Sequence, residues 1–333
     1  MDKEIKSLFN DELLDDLKKQ SGIKSELRLL RGFENLVYEF EENGKPYIYR
    51  VSHTQRRTRD EIKGEIEFLS FLDNNEIPVS KALIFNNSSE ISEVFTKDKN
   101  GNEISFAGVI FEKAKGSKPD KDKFTANVIR KVGEVTGLMH KLTKEFIPSD
   151  EKYRRQTWEK DYIHLADNNF EDSDINIRNK WDENFSALQN IQLNDEHCGL
   201  IHTDIHAGNF FVDGDENITI FDFDDCCYFH FVNDIAMSTY YYVMMEKSKK
   251  DKTEKAKFFL SEYLNGYNKV YNAQESWFKY FPLMLKQREF VVYLVLKRTM
   301  DEAWLKGDGK EFMNEYKFNL ENDIPYLNED LTV

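Results

Sequence analysis

The sequence predicts an α+β chain in two parts: a strand-rich beginning that carries one main helix, and a largely helical remainder. Three observations carry this expectation. Short extended runs, two of them joined across Asn43-Gly44, fill the first hundred or so residues; long stretches of helical apolar periodicity dominate from about residue 125 onward; and only residues 200–225 interrupt those stretches with strand-like segments. A chain of 333 residues also exceeds what one hydrophobic core usually serves, and the change of pattern after Glu112 places the division at residues 1–112 and 113–333.

In chain order, residues 5–17 read as a helix. Three candidate strands follow at 27–30, 36–40 and 47–51, the last two separated by Glu42-Asn43-Gly44, whose Asn-Gly pair is a hairpin signal. Residues 59–74 are expected to be helical, with Ile62, Ile66, Leu69 and Phe71 or Leu72 on the buried face. Further extended pieces lie at 81–85, 90–95 and 104–111, the last after the turn Lys99-Asn100-Gly101-Asn102. Helices are expected at 125–144, 156–168 and 177–191 and over most of 234–320, with strand-like segments at 210–212 and 218–221.

Lys and Arg number 46 against 61 Asp and Glu, a net charge of −15 that repels nucleic acid and anionic membranes. The same field attracts cations and also keeps a protein soluble, so charge alone names no substrate. The charged start Met1-Asp2-Lys3-Glu4 leads into no apolar run, which argues against a secretory signal and for a cytoplasmic location. The longest apolar stretch, 290–296, is far shorter than the ~20 residues of a membrane-spanning helix. Cys198, Cys226 and Cys227 offer neither a zinc spacing nor a disulfide framework.

The chemistry is concentrated in two segments. Phosphoryl transfer needs a carboxylate that orients the acceptor, oxygen ligands for Mg²⁺ and a cation on the nucleotide phosphates. His202-Thr203-Asp204, followed after four residues by Asn209, has the residue types and spacing of a kinase catalytic loop, H-R-D-x-x-x-x-N. Asp204 is then the group that orients or accepts the hydroxyl proton, and the Asn209 carbonyl oxygen suits a hard cation. Apolar Ile220 and Phe221 deliver Asp222-Phe223-Asp224 where a kinase has D-F-G, which makes Asp222 the second metal ligand and puts Asp224 in place of the glycine. Acidic Asp224 and Asp225 beside Asp222 are expected to need a neutralising cation.

With these motifs the chain resembles the aminoglycoside phosphotransferase and choline kinase superfamily, whose catalytic loop runs approximately H-G-D-x-H-x-x-N, and within it the bacterial homoserine kinase-like and stress-response kinase-like branch. The resemblance implies a protein kinase-like bilobal fold, with an antiparallel-sheet N-lobe that binds nucleotide and a helical C-lobe that carries catalysis and the acceptor. It implies ATP and Mg²⁺ as cofactors, Asp204 as the catalytic group, and Asn209 and Asp222 on the metal. His206, two residues past Asp204, is placed either on the γ-phosphate or in a structural hydrogen bond; His202 braces the loop. Thr203 departs from the usual Gly. Asp234 matches a family Asp that holds the loop backbone, although capping of the following helix would also explain it.

On the nucleotide side, the loop from Arg31 to Asn35 contains a single glycine, Gly32, with Phe33 and Asn35 beside it. Arg50 stands where the family more often has Lys, and Arg keeps its charge and grips phosphate bidentately. Glu65 is its expected partner, while Glu61, one turn earlier, reads as a solvated helix-face residue. Phe111 and Glu112 fall at the junction where backbone groups would read the adenine edge. The acceptor is expected to be a small hydroxylated molecule of aminoglycoside, amino alcohol or hydroxy amino acid type. Tyr240, Tyr241, Tyr242, Trp277 and Trp304 with Asp301 and Glu302 are candidates for holding a cationic one, and core packing explains the aromatics more simply. Competing readings are a Ser/Thr protein kinase of the stress-response type, disfavoured by the lack of an A-P-E motif after Asp222, and a nucleotide-binding pseudokinase that acts as a partner module.

Overall fold

The computed structural model describes residues 3–32, 34–85, 88–120, 124–192, 194, 196–300, 302–307 and 309–328. These group into two compact units. The first comprises Met1–Gly116 with Phe146–Arg155 and Thr219–Asp224; the second comprises Ser117–Glu145, Gln156–Ile218 and Asp225–Val333.

The first unit opens with two helices, α1 (Lys3–Leu8) and α2 (Asp11–Gln20), where the periodicity over 5–17 suggested one. The break comes at Asn10, whose backbone is extended and whose side-chain oxygen accepts from the Leu13 amide at 3.0 Å, capping α2. Next come β1 (Arg28–Gly32), β2 (Leu36–Glu42), β3 (Lys45–His53), α3 (Arg59–Asn74), β4 (Ala82–Leu83), β5 (Ser92–Lys97) and β6 (Glu103–Glu112). The sheet is antiparallel in the order β1-β2-β3-β6-β4, with β5 also paired to β6. Asn43 and Gly44 both take left-handed φ, 53° and 74°, as a two-residue hairpin turn demands, and so set the register from Leu36↔Val51 to Glu42↔Lys45. One sheet face, with Leu36, Tyr38, Phe40, Tyr49, Val51 and Phe106, closes on Leu17 and Ile23.

Helix α3 spans the expected residues and buries Ile62, Ile66, Leu69 and Leu72. Glu61 corrects the sequence reading. It is buried, its carboxylate accepts from the Thr58 amide at 2.8 Å, and the Thr58 hydroxyl accepts from the Glu61 amide at 3.2 Å, so it closes a capping box instead of facing solvent. Ile220 joins this unit by exchanging backbone bonds with the 78–80 segment, donating to the Pro78 carbonyl and accepting from the Ser80 amide, both at 2.9 Å.

The second unit contains α4 (Ala126–Leu142), α5 (Glu159–Asn169), α6 (Ile175–Gln189), β7 (Cys198–Ile201), β8 (Phe210–Val212), the start of β9 (Ile218–Ile220), β10 (Cys227–His230), α7 (Val232–Val243), α8 (Lys249–Tyr267), α9 (Phe281–Thr299), α10 (Glu302–Lys306) and α11 (Gly309–Glu321). Helices α4 and α8 approach to backbone contact: a Cβ on Gly133 would lie 2.0 Å from the Tyr263 carbonyl oxygen, and one on Gly266 would lie 1.8 Å from that of Arg130. Only glycine permits that approach. Strands β7 and β10, which the sequence reading did not anticipate, pair antiparallel from Cys198↔His230 to Ile201↔Cys227 and bracket the 202–209 loop. Among the described residues no helix is long and apolar enough to cross a membrane, and no cysteine is in a disulfide.

Candidate active site

In the second unit, the loop between β7 and β8 is braced first by Asp234. Asp234 lies in the first turn of α7, fully buried, yet it makes no capping bond to its own helix. Its carboxylate instead accepts from the Thr203 amide at 2.7 Å, the His202 amide at 3.2 Å and His140 Nε2 at 3.0 Å, while His140 Nδ1 accepts from the Tyr267 hydroxyl at 2.8 Å. Loop bracing, and not helix capping, is the geometry observed. His202 is also a brace: its Nδ1 accepts from the Asp204 amide at 3.2 Å.

Thr203 takes φ 71°, a left-handed conformation costly for a β-branched residue and free for the glycine usual in the resembling family. The strain is held by three bonds: the Asp234 contact, Thr203 Oγ1 donating to the Asp225 carbonyl at 2.9 Å, and Arg288 donating to the Thr203 carbonyl at 2.7 Å.

The part-buried Asp204 carboxylate is surrounded by donors. Asn209 Nδ2 donates to its Oδ2 and to its backbone carbonyl, each at 3.0 Å; His206 Nε2 lies 3.3 Å from Oδ2; and Arg288 Nη2 lies 3.3 Å from Oδ1. Burial pushes the Asp204 pKa up, but His206 and Arg288 outweigh it and hold the carboxyl down at about 2. Arg288, on α9, was missed by sequence reasoning. It packs over the Tyr241 ring at 5.4 Å, and the carboxylate and phenols around it keep it charged against its burial. It sits in the polar patch Lys286-Gln287-Arg288-Glu289 just before the apolar run of α9, with no local signal of a loop partner.

His206 Nδ1 accepts from the Gly208 amide at 2.9 Å, so both ring nitrogens are engaged within the loop, and a Cβ on Gly208 would meet the ring at 2.5 Å. Against this loop lies a cavity of about 220 Å³ lined by His206, Gly208, Tyr241, Tyr242, Met244, Met245 and Phe259, with Lys118 and, among the described residues, no carboxylate in its lining. Of the candidates for a cationic acceptor whose side chains are described, Tyr241 and Tyr242 reach it. Tyr240 is buried, stacked on Tyr326 at 4.3 Å, and Trp277 is buried against Phe231; both are core residues. Trp304 packs against Gly309, and Asp301 lies outside the described residues.

In the first unit, Arg50 of β3 is buried and forks onto Glu65 of α3, Nη1 to Oε1 at 2.9 Å and Nη2 to Oε2 at 2.5 Å. The expected pair forms, with the bidentate geometry that a guanidinium and not an ammonium can make. Burial disfavours the guanidinium charge, but Glu65, Asp224 and Asp222 more than compensate and raise its pKa. Its Cζ sits 4.8 Å over the Phe111 ring, and Nη1 lies 3.8 Å from Asp222 Oδ1. Asp222 takes φ 68° and its other oxygen pairs with Arg31. Gly32 ends β1, Asn35 is buried with an unbonded Oδ1, and Phe33 lies outside the described residues. Phe111 and Glu112 end β6, and the Glu112 amide donates to the Lys81 carbonyl at 2.9 Å.

The expectation that Asp224 requires a metal is corrected. Its carboxylate is neutralised by protein: Arg56 Nε lies 2.7 Å from Oδ2, with Arg50 and Arg57 each 3.9 Å from Oδ1. Burial raises its pKa, but Arg56, Arg50 and Arg57 hold it well below the usual carboxylate range.

Among the described residues no cluster of three or more His, Cys, Asp or Glu could cage a metal. In the second unit the Asn209 amide nitrogen is pinned on Asp204, which leaves its carbonyl oxygen for another partner, and in the first unit Asp222 presents a carboxylate. Each is a hard oxygen donor of the kind Mg²⁺ takes, a cation that keeps most of its shell for water and substrate phosphate.

These features are those of a phosphotransferase, and comparison with known proteins bears this out. Residues 26–273 match the phosphotransferase enzyme family, to which the chain belongs. It is 31% identical over 329 residues to amicoumacin kinase of Bacillus subtilis (strain 168), covering 97% of this chain and 96% of that protein. A solved amicoumacin kinase in complex with AMP-PNP, Ca²⁺ and Ami superposes with a TM-score of 0.88 at 27% identity, covering 99% of this chain and 98% of the other. A microcompartment-associated aminopropanol kinase shares the fold, with a TM-score of 0.73 at 17% identity over 93% and 95% of the two chains. The chain is a kinase of small-molecule hydroxyl groups that uses ATP with a divalent metal.

Proposed function

We propose that this kinase phosphorylates a hydroxyl of an amicoumacin-like small molecule, with residues 1–112 serving the nucleotide and residues 113–333 serving catalysis and the acceptor. The observation that carries the reading is the Asp204 carboxylate, held ionised and oriented by Asn209, His206 and Arg288. Such a group accepts a hydrogen bond from the acceptor hydroxyl, aims its oxygen, and takes the proton only as the bond to phosphorus forms. His206 and Arg288 keep the carboxylate in place.

Arg50, held by Glu65, is the cation proposed for the nucleotide phosphates, with Gly32 and Asn35 proposed to cover them; the adenine edge is assigned to the backbone at Phe111 and Glu112. Asn209 and Asp222 are the proposed Mg²⁺ ligands, and the metal when bound supplies charge neutralisation to the phosphate oxygens. The likeness to amicoumacin kinase over the full chain supports the substrate choice. The cavity beside His206, with aromatic and methionine walls and a lysine among its described lining residues, supports an acceptor with apolar surface over a simple cation.

The test is turnover of amicoumacin beside a panel of amino alcohols, aminoglycosides and hydroxy amino acids, together with thermal stabilisation by MgATP. Turnover of amicoumacin, and a stabilisation lost in Asp222→Ala, are expected. The absence of any MgATP shift in the unaltered protein would sink the kinase reading, and turnover confined to the amino alcohols would sink the substrate choice. On the acceptor side, Tyr242→Ala is expected to raise the acceptor KM about tenfold, as the loss of one aromatic contact implies. The KM for ATP should stay unchanged, and equal rises in both would remove the cavity from the acceptor site.

A further inference from the structure

Asp224 replaces the glycine of the D-F-G pattern, and arginines hold both its side chain and its backbone. Arg56 Nε lies 2.7 Å from Oδ2; the backbone carbonyl accepts from Arg57 Nε at 2.9 Å and from Arg155 Nη2 at 2.7 Å. Between Asp224 and Asp222, the Phe223 ring is buried against Phe68, centroids 6.1 Å apart. Asp222 itself sits in the left-handed region, a conformation a non-glycine residue keeps only where its surroundings over-determine it. A glycine at 224 would leave that tripeptide free to relax; an aspartate tied to arginines does not. Arg56 also reaches Glu34, Nη2 to Oε2 at 2.5 Å, so one guanidinium joins the loop after β1 to the segment that carries Asp222.

We propose that Asp224, held by Arg56, is a positioning residue that sets the Asp222 carboxylate for a divalent cation, and that Asp224 is not itself a metal ligand. Its buried Oδ1 has no hydrogen-bond partner, but the buried guanidiniums of Arg50 and Arg57 stand 3.9 Å from that oxygen and Arg56 holds the other, so three arginines enclose the carboxylate and repel a metal ion. Asp222 shares Arg50, but its other oxygen pairs with the exposed Arg31, which can swing away. The proposal rests on Asp222 being a metal ligand.

The test is Mn²⁺ binding in the presence of ADP, titrated by electron paramagnetic resonance, for the unaltered protein and the variants R56A, R56K, D224N and D222A. Loss of a group that orients a ligand costs about 10- to 100-fold in metal affinity. R56A and D224N are both expected to weaken Mn²⁺ by that factor, with R56K restoring most of it. If Asp224 were a ligand, R56A would release its carboxylate to the metal; binding that tightens or holds steady in R56A while falling in D224N overturns the proposal. Should R56A lose the far-ultraviolet circular dichroism of the unaltered protein, R56Q, which keeps an N–H toward Asp224, is read for the same sign. D222A separates the two levels. Unchanged Mn²⁺ binding in D222A removes the ligand reading and the proposal with it, whereas loss in D222A with no change in R56A or R56Q removes the positioning role alone.

Discussion

Asp204→Asn is expected to lower kcat about 10²- to 10⁴-fold, the range over which a positioned acid–base group contributes, while MgATP binding changes little. Asparagine keeps the shape of the site and its contacts to Asn209 and His206 but loses the anion that Arg288 pairs with. Steady-state kinetics with both substrates, beside calorimetric MgATP binding, checks the split; a fall in ATP affinity matching the fall in kcat would mean that Asp204 works in binding. The pH dependence follows from the same contacts. A carboxyl depressed from 3.8 to about 2 contributes stability above pH 3.8, and loses it as pH falls through about 2. An acid limb in kcat/KM anywhere between pH 5 and 8 therefore belongs to another group, and the variant should keep whatever limb its residual activity shows.

The parts of the chain that were legible in sequence were those governed by short-range rules. Helix α3 announces itself through apolar residues one turn apart, although its Thr58-to-Glu61 cap went unread, and β2 and β3 announce themselves through Asn43-Gly44, whose left-handed φ values only a few residue types accept without cost. The split of the first helix was missed because helical periodicity runs through Phe9-Asn10 and only a side-chain cap at Asn10 interrupts it. Strands β7 and β10 have four residues each and are separated by 25 residues of chain, so no local window shows their pairing. Within the site, Asp204 and Asn209 are recognisable because their spacing is set by one loop. Arg288 lies 84 positions from Asp204, and nothing near it hints at a carboxylate partner. Asp224 misled for a related reason. Three acidic residues in four positions look like a cation site until the fold brings Arg56, Arg57 and Arg155 to the same place.

Asp234→Ala is expected to give the largest loss of stability, about 3–5 kcal/mol, as removal of one buried charged partner does. The alanine would strip acceptors from two loop amides and from His140, leaving buried donors unpaired in a site with no exposure. The backbone of Thr203 would lose one of the three bonds that hold its strained conformation, so the loop that carries Asp204 should loosen before the unit as a whole unfolds. Hydrogen exchange at His202 and Thr203 reports the first event and urea denaturation the second. Asp234→Asn, which keeps one acceptor oxygen and the side-chain volume, should fall between the two proteins. Full stability in the alanine variant, with protected loop amides, would mean that the loop is held without Asp234, by Arg288, by the Thr203 hydroxyl on the Asp225 carbonyl and by Ser238 through its 2.9 Å bond to the Ile205 carbonyl. Activity discriminates further: if Asp234 acts only on the loop backbone, the asparagine variant should lose kcat while retaining its ATP KM, because the residues that hold Arg50 and Glu65 together belong to β3 and α3.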